Sequence, residues 1–251
     1  MGRYALSMAM EELGRRERKK LQTRQVISDV ATTLFMERGF DQVTVAEVAK
    51  AADVAVQTVF NHFPTKEDLL FDEQRWWVGP GQVIRELPGG VGMVEVVEAL
   101  EGHYLSVIRG RLRSGHLVTW KAFSRTIDES PALRARRRRN AEEMEALIVA
   151  ALREREYRGA LELSGGSGVE ASGRSEVEAG GRLGVEVSPQ SSPLMARLIA
   201  AQYAAAQKVL EEELGRVLPE KPNGVQIAQA EEELERAVRV VFGTLKRGLQ
   251  H

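Results

Sequence analysis

The sequence predicts an all-α protein with a small helical head at the N-terminus and a larger helical body behind it. Runs rich in Ala, Leu, Glu and Arg repeat apolar residues with a period of 3.6. No convincing strand pattern interrupts them. The chain has 251 residues, 43% hydrophobic and 28% charged, which is ordinary for a globular protein with its own core.

Composition excludes several classes of function. The net charge is −1, so a nucleic-acid footprint has to be local. The chain has no Cys, which excludes disulfides, thiolate zinc sites and cysteine nucleophiles. The histidines are scattered, and no catalytic elbow or metal-ligand spacing is present. We therefore expect no enzyme, metal or cofactor, and a cytoplasmic protein without secretory signal or membrane span.

The first helix of the head is predicted from an apolar stripe at Ile27, Val30, Ala31, Leu34 and Phe35. We expect it to end at Gly39 as a left-handed residue, with Phe40 packing back on the helix. Thr44 and Glu47 then have the spacing of a capping box, which starts a short second helix running to about Ala52.

The third helix follows a turn at Asp53 and Val54 and is stopped by Pro64. Ala55, Val59 and Phe63 would face the core. The outer side is unusual for a solvated surface, because it groups Val56, Gln57, Phe60 and Asn61, with Thr58 and His62 on the flanks.

A short helix, a tight turn and such a second helix form the helix-turn-helix pattern, which presents its second helix to the major groove. Gln57 and Asn61 suit base edges, and Val56 and Phe60 suit thymine methyl groups. Thr58, His62 and Lys66 carry hydrogen-bond donors that suit phosphate oxygens. Periodicity alone also allows a plain helical hairpin.

The stretch "TVAEVAKAADVAVQTVFNHFPTKEDLL", residues 44–70, resembles the DNA-binding signature of the TetR family of bacterial transcriptional regulators. The resemblance implies a three-helix DNA-binding head on a helical ligand-binding and dimerisation domain. The positions that would contact DNA are Thr44, Val56, Gln57, Thr58, Phe60, Asn61, His62 and Lys66. It also places a basic segment, Arg15 to Arg24, near phosphate.

Three positions depart from the family pattern. Asp53 stands where Gly is usual in the turn, although Asp tolerates left-handed geometry better than most residues. Ala55 replaces a Ser-like cap, and Phe60 replaces a Tyr whose hydroxyl could reach a phosphate. These differences leave the fold intact and affect which atoms contact DNA.

The predicted domains are a flexible basic segment at 1–20, a helix-turn-helix domain at 21–65 and a ligand-binding and dimerisation domain at 66–251. One helix is expected from Lys66 to Glu86, long enough to act as a lever between head and body. The low-complexity stretch 159–193, rich in Gly, Ser and Glu, is predicted to be a disordered insertion.

Large, soft side chains in the body are candidates for a small-molecule cavity. The candidate ligand-binding residues are Trp76, Trp77, Tyr104, His116, Trp120 and Phe123. An ordinary helical-bundle core explains the same residues equally simply.

The last two predicted helices carry apolar stripes that, by the resemblance, would form a homodimer interface. The stripes are Leu198, Ala201, Ala205 and Leu210 in one helix, and Val238, Val241, Phe242 and Leu245 in the other. The leading hypothesis is a repressor that a small apolar ligand releases from a near-palindromic operator on double-stranded DNA. An activator or co-repressed regulator with the same head is the first alternative. A helical protein-interaction module with a structural helix-turn-helix is the second.

Overall fold

A computed structural model of the chain describes residues 14–71, 77–113, 120–165, 193–219 and 222–250, with the backbone alone at 111–113, 120 and 160–165. These residues form ten α-helices and no strand, which confirms the predicted fold class. The helices are α1 Arg15–Arg38, α2 Val45–Ala51, α3 Val56–His62, α4 Asp68–Phe71, α5 Gly79–Glu86, α6 Met93–Arg113, α7 Trp120–Glu129, α8 Pro131–Gly165, α9 Pro193–Val217 and α10 Gly224–Gly248.

Helix α1 supplies the core of the head through Ile27, Ala31 and Phe35, all fully buried. It ends as predicted at Gly39, whose φ of 85° suits glycine and whose N–H donates to the Phe35 carbonyl. The rings of Phe35 and Phe40 lie 4.9 Å apart. The helix already begins at Arg15, so residues 15–20 belong to it rather than to a flexible segment.

Helices α2 and α3 form a tight helix-turn-helix. Thr44 and Glu47 make the predicted capping box at the start of α2. Asp53 occupies the turn with a positive φ of 52°, the left-handed geometry expected there. Val59 and Phe63 are buried, but Ala55 is exposed because it is the N-cap of α3, and the turn residue Val54 packs against the core instead.

The predicted single helix from Lys66 to Glu86 is wrong. Thr65 and Asp68 form a second capping box and α4 follows, but Trp77 and Val78 are in a turn and α5 starts anew at Gly79. Pro80 lacks a backbone N–H and favours a first helical turn. A continuous 66–86 lever is therefore absent.

Helix α8 is the central element of the body, with α5, α7 and α9 packed against it. Helix α10 packs on α9 and α6, and the aromatic rings of Tyr104, Tyr203 and Phe242 meet there. Helix α8 runs on to Gly165, into the start of the predicted insertion 159–193, since Ala160 to Leu163 are good helix formers. The rest of the predicted insertion, 166–192, lies outside the described residues. No described helix is long and apolar enough to cross a membrane.

The stripe predicted for dimerisation on α10 faces the interior of the chain. Val238 and Phe242 are fully buried, and Val241 and Leu245 pack partly against the same core. On α9, Leu210 is also buried, whereas Leu198, Ala201 and Ala205 are exposed. Apolar spacing marks a buried face without distinguishing burial within one chain from burial between two, so this part of the predicted interface is corrected.

Candidate functional site

The outer face of α3 carries two exposed apolar side chains beside two amides. Val56 is 41% exposed and Phe60 is 44% exposed. Gln57 Nε2 donates a hydrogen bond to Asn61 Oδ1 at 3.1 Å, one helical turn away. The pair leaves Gln57 Oε1 and Asn61 Nδ2 on an exposed surface, where they can meet a base edge.

Thr44 serves the fold as well as lying on the predicted contact surface. Its hydroxyl donates to Glu47 Oε2 at 2.8 Å and accepts from the Glu47 N–H at 3.2 Å. Hydrogen bonds from the Thr44 backbone and side chain lower the pKa of Glu47, so that this carboxylate stays ionised as the partner of the cap. Thr58, on the flank of α3, is half-buried.

Lys66 and His62 lie at the end of α3 nearest the loops of the head. Lys66 Nζ donates to the Phe40 carbonyl at 2.6 Å and lies 4.2 Å from the centroid of the Phe40 ring. Burial lowers the pKa of Lys66, partly offset by the nearby carboxylate of Asp41. Its ammonium thus holds the α1–α2 loop, while His62 is half-buried. Contact of either residue with phosphate stays a prediction.

A basic cluster occupies the first turns of α1, and we call it the α1 cluster. Its members are Arg15, Arg16, Arg18, Lys19 and Lys20. Arg24, one turn beyond Lys20, donates to the His62 carbonyl, and its guanidinium lies 4.3 Å from the Phe63 ring centroid. One helical turn spans about 5.4 Å, so Lys20, the member of the α1 cluster nearest to Arg24, lies close to the end of α3.

Residues 27–72 match the family model of bacterial regulatory proteins, tetR family. The similarity lies in the head of the chain, which resembles members of this family. The match covers the helix-turn-helix and the loops that support it, so the predicted resemblance is confirmed.

Two curated proteins are similar to parts of this chain. The HTH-type transcriptional regulator TcmR of Streptomyces glaucescens is 30% identical over 155 residues, covering 57% of this chain and 64% of TcmR. The HTH-type transcriptional regulator LuxR of Vibrio harveyi is 38% identical over 64 residues, covering 24% of this chain and 31% of LuxR. The chain thus spans less than two thirds of either relative.

A solved structure, that of a transcriptional regulator from Aquifex aeolicus VF5, aligns with 87% of this chain and 99% of its own. It has a TM-score of 0.46 and 13% sequence identity.

The residues predicted to line a ligand cavity do not meet in one described site. Trp77, Tyr104 and Phe123 are buried. Phe123 packs edge-on against Phe71 in α4, with centroids 6.3 Å apart, whereas Tyr104 packs against Phe242 in α10. Trp76, His116 and the Trp120 side chain lie outside the described residues. Trp77, Tyr104 and Phe123 all belong to the buried core, and Phe123 and Tyr104 pack against different rings there.

A cleft of about 780 Å³ opens elsewhere in the body, between α7, α8 and α9. We call it the α7–α9 cleft. The described members of the predicted ligand set, Trp77, Tyr104 and Phe123, do not line it. The lining residues are Ser124, Asp128, Arg134, Arg137, Arg138, Ala141, Met144, Glu145, Ala201, Ala204, Ala205, Gln207, Lys208, Glu211, Glu212 and Gly215. Small residues on α9 were the only sequence signal for it, and they were assigned to dimerisation.

In the part of the chain that the structure describes, two polar contacts at the α7–α8 corner join the head to the body. Ser130 Oγ donates to Asp41 Oδ1 at 2.9 Å. Arg136 Nη2 donates to Asp68 Oδ1 at 2.7 Å, and the other oxygen of Asp68 caps α4 through Thr65. The same carboxylate therefore fixes α4 locally and ties it to α8.

Proposed function

We propose that this chain is a sequence-specific DNA-binding transcriptional regulator, acting as a homodimeric repressor that a small ligand releases from a near-palindromic operator. The observation that supports it best is the outer face of α3. A well-supported turn holds this short helix, and its surface offers amides and apolar groups together. Such a surface is poorly suited to water and well suited to the major groove.

The paired amides suggest how the helix would read DNA. With one donor and one acceptor used between Gln57 and Asn61, the remaining Gln57 Oε1 accepts and Asn61 Nδ2 donates. Adenine presents the complementary pattern in the major groove, an N6 donor beside an N7 acceptor. Val56 and Phe60 flank the amides and suit thymine methyl groups. We therefore expect A·T pairs in each half-site.

The α1 cluster supplies the non-specific part of the binding. Five cationic side chains give one end of the head a local positive charge, although the net charge of the chain is −1. Each phosphate that such a group neutralises releases condensed counterions, so the affinity falls with salt. This arrangement places the positive charge locally, next to the end of α3, where the DNA backbone would pass.

A second copy of the chain can pack on one exposed face of α9. We call this face the α9 stripe; it consists of Leu194, Leu198, Ala201, Ala205 and Val209, which share one side of the helix and are all exposed. Leu194 is 71% exposed and Val209 is 52% exposed, which is costly for a monomer in water. A two-fold dimer on this stripe pairs two heads and calls for a near-palindromic operator.

Release by a ligand would act through the α7–α8 corner. Because Ser130 and Arg136 tie this corner to Asp41 and Asp68, movement of α7 or α8 shifts the head relative to the body. A ligand that binds the shifted state more tightly changes the population of dimers whose heads fit successive grooves.

Fluorescence anisotropy on labelled duplexes from the region upstream of the chain's own gene tests the binding. We expect saturable binding whose logarithmic affinity falls linearly with the logarithm of salt concentration. Unrelated duplexes of equal length serve as the control. Equal affinity for all duplexes, or no binding at low salt, overturns the proposal.

A further inference from the structure

We propose that the α7–α9 cleft is a binding site for a small, electrically neutral or zwitterionic organic molecule that forms a hydrogen bond with the side-chain amide of Gln207. The inference deepens the proposed regulatory function, on which it rests only in taking the bound molecule to be the effector. Binding itself is measured without DNA. At about 780 Å³ the cleft falls in the range of sites that enclose drug-sized ligands.

Gln207 is the observation that points to a ligand. Its side chain is 8% exposed and lines the cleft, and Nε2 donates to the hydroxyl of Tyr203 at 3.4 Å. Gln207 Oε1 is buried and has no hydrogen-bond partner among the described residues. If the amide is turned over, Oε1 meets Tyr203 and Nε2 is left instead. Either way one polar atom lacks a partner.

A buried polar atom without a partner costs free energy unless something else satisfies it. The Tyr203 hydroxyl cannot move to help, because its ring is 1% exposed and packed against Phe242. A bound hydroxyl or amide group, which can donate or accept, would complete the hydrogen bonding of Gln207 in either orientation. The small residues of the cleft select a ligand by shape alone, whereas the unpaired amide atom of Gln207 also selects it by hydrogen bonding.

The floor and rim of the cleft define the rest of the ligand. Met144 and the small side chains of Ala141, Ala201, Ala204 and Ala205 leave room for an apolar body. Charges on the lining balance: the basic side chains are Arg134, Arg137, Arg138 and Lys208, and the acidic ones are Asp128, Glu145, Glu211 and Glu212. A strongly charged ligand of either sign would meet repulsion as well as attraction, which favours a molecule without net charge.

The cleft is also placed to act on the head. Asp128 lines it and accepts a hydrogen bond from Arg137 at 3.1 Å, which joins the end of α7 to α8. Two residues further along the chain, Ser130 contacts Asp41 of the head. A molecule that separates Asp128 from Arg137 would therefore disturb the corner on which the head rests.

The α9 stripe shares Ala201 and Ala205 with the cleft, so a second copy of the chain is the competing occupant. The dimer proposed above would border the cleft, and its partner helix could fill it. We assign the cleft to the small molecule. Sedimentation, measured beside ligand binding, distinguishes the small molecule from a second copy of the chain.

The test titrates the full chain with N-phenyl-1-naphthylamine, a neutral aromatic amine whose N–H can reach Gln207 and whose fluorescence rises in apolar sites. Ala141→Phe fills the cleft and Gln207→Leu removes the amide. Ala146→Phe, exposed on α8, and Gln202→Leu, on α9, are matched controls that do not line the cleft. Circular dichroism checks that each variant is folded.

We expect saturable one-to-one binding, a loss of more than about tenfold with Ala141→Phe, and a loss of about fivefold with Gln207→Leu, the size of one hydrogen bond. The two controls should bind as the unaltered chain does. Absence of probe binding, or binding equal in all five proteins, overturns the proposal. So does a sedimentation result in which Ala141→Phe abolishes the dimer while probe binding persists, because the second copy then occupies the cleft.

DNA binding is measured on the same variants. If Ala141→Phe loses the probe and still binds the operator, both proposals stand. Probe binding that follows the cleft variants in a chain that binds no duplex would remove the regulatory function and leave the binding site.

Discussion

The head and the body are each stabilised internally, but by different kinds of contact. Helices α2 and α3 of the head have seven residues each, too short to be stable alone. Their buried side chains Val48 and Val59, together with the C-cap residue Phe63, join the core of the head. Single polar contacts fix the chain around them: the Thr44–Glu47 box starts α2, the Thr65–Asp68 box starts α4, and Lys66 bonds to the Phe40 carbonyl. In the body, α8 has 35 residues and α9 and α10 have 25 each, and they pack through long apolar faces.

This difference separates the roles of the two regions. A head built on local caps and turns presents a fixed surface on α3, because each contact defines one backbone angle or one helix end. A body built on packed long helices allows small shifts between helices and leaves a cleft where their sides do not meet. We therefore expect point changes in the head to alter DNA affinity or head stability sharply, and changes in the cleft to alter binding of small molecules.

The largest expected effect is the loss of DNA affinity when both amides of α3 are removed. Each base contact of this kind is worth about 1–3 kcal/mol, so Gln57→Ala with Asn61→Ala should weaken specific binding by about a hundredfold or more. Both side chains are exposed, so the melting temperature should change little. Gln82→Ala, exposed on α5, is the control. Unaltered affinity in the double variant would show that α3 does not read bases.

The next effect is on the stability of the head and concerns Gly39. With φ at 85° and ψ at 144°, this residue occupies a region that side chains avoid. Gly39→Ala should therefore destabilise the chain by about 1–3 kcal/mol in urea unfolding. Gly102→Ala in α6, where an added methyl group has open space, should stabilise it by about 1 kcal/mol. Equal effects of the two substitutions would remove the contrast between the regions.

A gain of stability is expected at the uncapped end of α3. Ala55 is the N-cap and makes no side-chain hydrogen bond. Ala55→Ser supplies the missing acceptor and should stabilise the head by about 1 kcal/mol. Ala51→Ser, at the end of α2, has no such group to cap and should be neutral or slightly destabilising. Hydrogen exchange of the α3 amides measures the change locally.

The smallest effect is a pH dependence that belongs to the body. Burial lowers the pKa of His103 below its ordinary 6.5, and Gly79 packs closely on its ring. The unfolded chain therefore binds this proton more readily, and stability is lost as the pH falls from about 6.5 toward the folded pKa. His103→Gln should reduce the drop in melting temperature between pH 7.5 and pH 5.5. An unaltered drop would show that other groups cause it.

Much of the head could be predicted from the sequence because its determinants are local. The Thr44–Glu47 spacing, Gly39 at the end of α1 and Asp53 in the turn each specify one backbone feature within a few residues. Ala55 was placed on the core-facing stripe by helical period, yet it is the cap and is exposed. The helical period holds only from Val56 onward, because the N-cap residue Ala55 has an extended backbone and its side chain does not follow the helical faces.

The body resisted prediction because its features depend on which helices meet. Val238 and Phe242 have the spacing of an interface, yet both are fully buried within the chain, where Phe242 packs on Tyr104 and Tyr203. The α7–α9 cleft combines three helices that are distant in sequence. The break at Trp77 and Val78 has one local signal, Pro80 in the first turn of α5, but the helical pattern on both sides of the break outweighs it.

Selection of bound duplexes from a random pool tests most directly whether the outer face of α3 reads DNA. The account predicts an enriched inverted repeat with A·T pairs in each half-site, bound with an affinity that falls steeply with salt. The double variant Gln57→Ala with Asn61→Ala should enrich no such repeat. A pool without any enriched sequence, or the same repeat selected by the double variant, would contradict it.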